Sequence, residues 1–156
     1  MRGGAEHNHR RQMSYSQYPN RDPAKDYFTL PNEIYYLGLT AGAIAVYGYL
    51  LHIEDRKTYQ ARAKYKAIGK AVRMSVNTVA GYVRELEDKR LIWTEPTSHV
   101  KGGQTYNGSL LYHIRPIQEA VDCHNERQMQ SLEAAVERQT IQAKLSASRR
   151  PQEATV

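Results

Sequence analysis

The 156-residue sequence contains one cysteine, one tryptophan and one phenylalanine. A single cysteine excludes an intramolecular disulfide framework and is typical of a reducing compartment. No apolar run approaches the roughly 18 residues that a membrane-spanning helix needs. The N-terminus carries charge without a following apolar stretch, which argues against a secretory signal. We therefore expect a soluble, cytoplasmic protein with no membrane partner.

Arrangements typical of catalysis or of metal binding are also missing. The sequence shows no Ser/His/Asp, Cys/His or paired-carboxylate spacing that would support catalysis, so we expect no enzymatic activity. His7 and His9 are too few to close a metal site, and Cys123 and His124 have no second ligand pair at the required spacing. We expect neither a metal nor a cofactor.

Positive charge is what the sequence has in excess, with a net charge of +6 and an isoelectric point near 9.4. Residues 1–26 are rich in Gly, Asn, Ser and Gln and are predicted to form a flexible basic arm. Residues 27–116 hold 12 basic and seven acidic side chains and nearly all the apolar patterning. Between Arg56 and Arg84 there are eight basic residues and no acidic one. Such a bias favours an anionic partner.

Apolar residues in the middle stretch recur at helical spacing, and side chains suited to capping mark where helices begin. Thr40 and Ser75 are the predicted N-cap residues. The two predicted strands are short, and a flexible loop of about 15 residues separates them. The predicted elements are helices over Thr40–Ile53, Lys64–Val72 and Val76–Lys89, then strands over Leu91–Thr94 and Leu110–Ile114. This order predicts a mainly α fold with a small β-hairpin wing, a winged helix-turn-helix over residues 27–116.

The spacing around Gly69 is that of a helix-turn-helix. Two steeply crossing helices need a small residue where they touch, and Gly69 is the candidate. The predicted interlocking apolar residues are Ile68, Val72, Met74, Val79 and Tyr82. Arg73 occupies the turn, where a positive φ usually favours glycine, so we expect a strained Arg73 at a cost of about 1 kcal/mol.

The segment VRMSVNTVAGYVRELEDKRLI resembles the recognition-helix block of bacterial winged-helix regulators and plasmid replication initiators. Together with Phe28-Thr29-Leu30-Pro31 and the Leu39–Leu51 stretch, it resembles the N-terminal domain of replication initiators of Gram-positive mobile elements. The resemblance covers roughly residues 27–116. It implies a winged helix-turn-helix that binds DNA.

A recognition helix places its first turns against base edges, while the preceding helix contacts phosphate. The candidate base contacts are Val76, Asn77, Ala80, Gly81 and Arg84. The candidate phosphate contacts are Lys64, Lys66, Lys70, Arg73, Ser75 and Thr78. In the wing, His99, Lys101 and Gln104 are placed to reach the DNA backbone or the minor groove.

Residues 117–156 are predicted to form a polar helical extension with a frayed tail. Glu, Gln, Ala and Arg favour helix over Ile117–Ser146, but the apolar positions are too sparse for a sustained coiled coil. A weakly pairing helix is compatible with a homodimer. About 40 residues are too few for a sensor domain, so we expect no small-molecule effector.

Two classes of function remain open from the sequence. The first is sequence-specific binding of double-stranded DNA, as a transcriptional regulator or as a replication or mobile-element initiator. The second is a winged-helix docking module that binds protein and no nucleic acid. The acid-free stretch between Arg56 and Arg84 favours the first, because a docking module does not need it.

Overall fold

A computed structural model describes residues 27–149. The predicted arm, with His7 and His9, lies outside the described residues. A 3₁₀ helix (Asn32–Tyr35), which the sequence did not predict, buries Ile34 beneath the first α-helix. The elements that follow are α1 (Ala41–Ile53), β1 (Gln60–Ala63), α2 (Tyr65–Val72), α3 (Val76–Asp88), β2 (Ile92–Lys101), β3 (Gln104–Ile114) and α4 (Ile117–Ser148). This is the predicted fold class, a winged helix-turn-helix followed by a C-terminal helix.

The core lies between the three helices α1–α3 and one face of an antiparallel sheet with strand order β1-β3-β2. Tyr47 of α1 and Tyr112 of β3 are its largest fully buried side chains. Because both of these side chains are tyrosines, two hydroxyl groups lie in the core. Burial raises the pKa of Tyr47 to about 12, with the charge of Glu54 adding to the effect.

The predicted helix caps and the turn between α2 and α3 are confirmed. Thr40 Oγ1 accepts a hydrogen bond from the Ala43 amide, and Ser75 Oγ accepts one from the Thr78 amide at 3.2 Å. Arg73 has φ 56° and ψ 48°, the left-handed conformation expected at this position. A Cβ atom on Gly69 would lie 2.4 Å from the Met74 carbonyl oxygen, so only glycine allows this close approach.

The prediction of a long flexible loop in the wing is wrong. Strands β2 and β3 pair from Ile92↔Ile114 to Lys101↔Gln104, and only Gly102 and Gly103 form the turn. Both glycines have positive φ, 60° and 79°, which suits a two-residue hairpin turn. The wing therefore extends about 30 Å at 3.3 Å per residue.

Pro96 and Gly108 misled the prediction, because both residues weaken most strands. Pro96 is tolerated since β2 is an edge strand, where a missing amide donor leaves no neighbour unpaired. The register shifts between Pro96 and Ser98. At that shift the Thr97 hydroxyl donates to the Ser109 carbonyl, and a Cβ on Gly108 would lie 2.4 Å from Thr97 Oγ1. Glycine is therefore required by the bulge itself.

The short strand β1 was also missed. Its inward residues are Ala61 and Ala63, which carry little β propensity. Its stability comes from pairing with β3, whose Tyr112 lies opposite Ala61. Because its partner strand lies about 50 residues away along the chain, the short alternation in β1 does not by itself predict the pairing.

Helix α4 extends past the predicted end at Ser146, and its first turns are part of the core. Ala120 and Cys123 are buried, while Ile117 and Val121 pack against the core cluster. The apolar packing thus continues beyond Ile114, the last core position that the sequence pattern predicts, into the first turns of α4. Within residues 27–149 no helix is long and apolar enough to cross a membrane.

Candidate nucleic-acid interface

Helix α3 has one buried side and one side that faces solvent. Val79, Val83 and Leu86 are buried at the spacing of a helix stripe. The predicted base-contact residues lie on the remaining surface: Val76, Asn77 and Arg84 are exposed, and Ala80 and Gly81 are half-buried. The fold therefore brings the five predicted residues onto the solvent side of α3.

The polar side chains on this face differ in whether they already form a hydrogen bond. No hydrogen bond within residues 27–149 holds the Asn77 amide. The Arg84 guanidinium, by contrast, folds back along the helix and donates to the Ala80 carbonyl at 3.3 Å. It must release this bond to reach outward. A Cβ on Gly81 would have no atom within 4 Å, so this glycine is not required by packing.

The hydroxyl groups at the start of α3 form hydrogen bonds within the helix. Ser75 Oγ and Thr78 Oγ1 lie 2.7 Å apart, and Ser75 also accepts from the Thr78 amide. Both side chains remain exposed and keep acceptor capacity. Arg73 lies exposed in the turn before them.

A groove beside α2 gathers four of the eight basic side chains of the acid-free run. Lys64, Lys66 and Lys70 line a space of about 550 Å³ together with Arg62, Tyr49 and Ser109. Within residues 27–149, no acidic side chain lines this groove and none of its four basic groups is ion-paired. The groove can therefore attract an anion with little competing charge.

Arg62 was not among the predicted contact residues. It lies on β1, where Ala61 and Ala63 point into the core and Arg62 is exposed between them. The alternation of small and polar residues in Gln60-Ala61-Arg62-Ala63-Lys64 is the signal that would have identified it.

The wing residues His99, Lys101 and Gln104 converge at the tip of the β2–β3 hairpin. Lys101 pairs with Gln104 across the turn, and His99 pairs with Tyr106. The rings of His99 and Tyr106 are stacked, with centroids 5.7 Å apart, and the Tyr106 hydroxyl donates to Gln104 Oε1 at 2.9 Å. Tyr106 was not predicted, because its segment was interpreted as a loop.

The acidic side chains near the end of α3 accept hydrogen bonds from neighbouring parts of the fold. The amide and hydroxyl of Thr40 donate to Glu85 at 2.8 Å each, and the amide and hydroxyl of Thr94 donate to Glu87 at 3.1 and 2.6 Å. Arg127 of α4 donates to Asp88 at 2.7 Å, and this bond holds the pKa of the Asp88 carboxyl below its usual value. These carboxylates tie α3 to its neighbours.

Among residues 27–149, no group of three or more His, Cys, Asp or Glu side chains is arranged to hold a metal ion. Cys123 is buried beside the core.

No family model matches the chain, and no curated protein matches it. One similar solved structure is described as a "possible transcriptional regulator from Methanosarcina mazei Go1". The two chains are 20% identical, the alignment covers 68% of this chain and 80% of that chain, and the TM-score is 0.46.

Proposed function

We propose that this chain binds double-stranded DNA in a sequence-specific manner, with α3 as the recognition helix. The observation that carries the proposal is the exposed face of α3, where the Asn77 side-chain amide has no hydrogen-bond partner among the described residues. The groove of Arg62, Lys64, Lys66 and Lys70 lies on the same helix-turn-helix. A recognition helix needs base-reading groups on its outer face and cations near its start.

Base reading falls to the first turns of α3. The Asn77 amide can donate to and accept from one adenine, and Arg84, once released from Ala80, can contact guanine. Val76 offers an apolar contact for a thymine methyl. Ala80 and Gly81 are small, which allows the helix backbone to come close to the base edges.

Phosphate contacts hold the helix in register and carry no sequence information. We assign them to Lys64, Lys66, Lys70, Arg73, Ser75 and Thr78, and we add Arg62 from its place in the groove. The wing adds His99, Lys101 and Gln104 at its tip, with Tyr106 beside them.

The biological role within this proposal is regulation of transcription or initiation of replication of a mobile element. In this proposal the chain binds DNA as a homodimer, and residues 27–116 form the DNA-binding unit. No effector or cofactor takes part. The alternative is a docking module for protein. Four cations around one groove, none of them ion-paired with another described residue, favour a polyanion over a neutral protein surface.

Selection of duplexes from a random pool, followed by titration at several salt concentrations, tests the proposal. If about five basic residues neutralise phosphates, log affinity falls with log salt at a slope of about −4 to −5. We expect an enriched motif that the scrambled duplex does not match. A flat salt dependence, or no enrichment, would favour the docking module.

A further inference from the structure

Most of α4 projects beyond the winged domain with an uncovered apolar stripe. Met129, Leu132 and Val136 are 57%, 60% and 62% exposed. Steps of three and four residues continue the same stripe through Thr140, Ala143 and Ala147. The stripe lies on the opposite side of α4 from Cys123 and Arg127, which contact the domain. A second helix can therefore approach it without meeting the chain's own domain.

The two halves of the stripe differ in the size of their side chains. The first half carries the large side chains Met129 and Leu132, and the second half carries the small ones, Ala143 and Ala147. Close packing of two helices is best when large residues meet small ones across the interface. Two copies in antiparallel orientation place the large half of each against the small half of the other. Parallel copies place large against large and small against small.

The charges of α4 divide in the same way. Residues 117–137 contain five acidic side chains and one basic one, Arg127, which is paired with Asp88. Residues 138–149 contain three basic side chains and no acidic one. Glu126 and Lys144 are 18 residues apart, five turns of 3.6 residues, so they lie on the same flank of the stripe. In an antiparallel pair that crosses near Val136, Glu126 of each copy comes close to Lys144 of the other.

We propose that α4 pairs in antiparallel orientation with α4 of a second copy of this chain, with the crossing point near Val136. Size and charge both favour this orientation over the parallel one. Ile141 and Leu145 lie on the side of Cys123 and take no part in the pairing. This proposal does not depend on DNA binding.

The geometry has a consequence for DNA. Cys123 lies 13 residues before Val136, so the two Cys123 residues of the pair are about 39 Å apart at 1.5 Å per residue. The two winged domains then lie at opposite ends of the paired helices, related by a twofold axis. A twofold dimer selects half-sites arranged as an inverted repeat.

Cross-linking with a short bis-maleimide in the full chain tests the orientation without DNA. Met129→Cys alone should give no cross-linked dimer, because antiparallel copies of residue 129 are about 21 Å apart. A mixture of Met129→Cys and Ala143→Cys should give the mixed dimer, and Val136→Cys should give a dimer by itself. The unsubstituted chain, whose Cys123 is buried, is the control. Efficient dimers of Met129→Cys alone, or no dimer from any variant, would overturn the proposal.

A charge exchange measured by sedimentation tests the pair of Glu126 and Lys144 separately. Lys144→Glu and Glu126→Lys should each weaken dimerisation about 3- to 10-fold, as expected for two exposed pairs lost in one dimer. The double variant should restore the original dissociation constant at low salt. If the double variant is weaker than either single variant, the two residues do not meet. If these tests fail, the proposal that the winged domain binds DNA is unaffected. The two proposals can therefore fail independently.

Discussion

The inner and outer sides of the helix-turn-helix are built in opposite ways. On the inner side, Gly69 allows no added carbon atom, Val79 is fully buried, and Glu87 accepts two hydrogen bonds from Thr94. On the outer side, the Asn77 side chain has no hydrogen-bond partner within residues 27–149, and a Cβ added to Gly81 would meet open space. Substitutions on the inner side should therefore reduce stability, and substitutions on the outer side should instead alter DNA binding.

Helix α4 shows the same contrast along its length, and truncation gives the largest expected effect. Removal of residues 128–156 should leave the free energy of unfolding of the monomer almost unchanged. Removal of residues 117–156 takes away Ile117, Ala120 and Cys123 and should cost roughly 3 kcal/mol, from the apolar surface lost. Urea denaturation of both truncated chains checks this. Equal stability of the two would place the end of the core at residue 116, as the sequence alone suggested.

Gly69 on the inner side and Gly81 on the outer side allow the same substitution to be compared at both. Gly69→Ala should lower the free energy of unfolding by about 1–3 kcal/mol, because the new methyl group meets the Met74 carbonyl. Gly81→Ala should raise stability by about 0.5–1 kcal/mol, since alanine favours helix and nothing blocks it.

Denaturation of both variants, with DNA titration of Gly81→Ala, completes the comparison. We expect weaker DNA binding from the more stable Gly81→Ala variant, because the added methyl group blocks close approach to the bases. Unchanged DNA affinity would remove Gly81 from the interface.

Glu87→Ala should cost about 1 kcal/mol of stability, because the Thr94 amide and hydroxyl lose their charged acceptor. Glu137→Ala is the control: Glu137 is exposed on α4, and its side chain has no hydrogen bond or ion pair within residues 27–149. Thermal or urea unfolding at neutral pH measures both. If the two variants lose the same amount, the link between α3 and β2 contributes nothing.

The smallest expected effect concerns Asp88 and pH. Arg127 lowers the pKa of Asp88 in the folded state, so the pair stabilises the fold above the ordinary carboxyl pKa and this contribution is lost as pH falls through the lowered value. Asp88→Asn should cost less than about 1 kcal/mol at pH 7, because the pair is exposed. The difference from the unsubstituted chain should vanish once the pH lies below the lowered pKa of Asp88. A difference that persists there would mean that packing, and not charge, is involved.

The sequence predicted the parts of the fold that depend on local pattern. The three helices follow from apolar spacing, the caps at Thr40 and Ser75 from side-chain chemistry, and the left-handed Arg73 from the geometry of the turn. The missed elements depend on distant pairing: β1 is held by β3, and the full length of the wing depends on a bulge that requires Gly108. Arg62 was missed for the same reason, because its exposure follows from the pairing of β1.

The central claim is that α3 reads bases while the groove beside α2 holds phosphate, and one pair of substitutions tests it directly. Titrations of Asn77→Ala and Lys70→Ala on a selected duplex and on a scrambled duplex, at several salt concentrations, are the measurement. Asn77→Ala should lose about 1–3 kcal/mol on the selected duplex at one base position, with an almost unchanged salt slope. Lys70→Ala should weaken binding to both duplexes alike and reduce the salt slope by about 1. A uniform loss of affinity by both variants would contradict the account, because α3 would then not be reading bases.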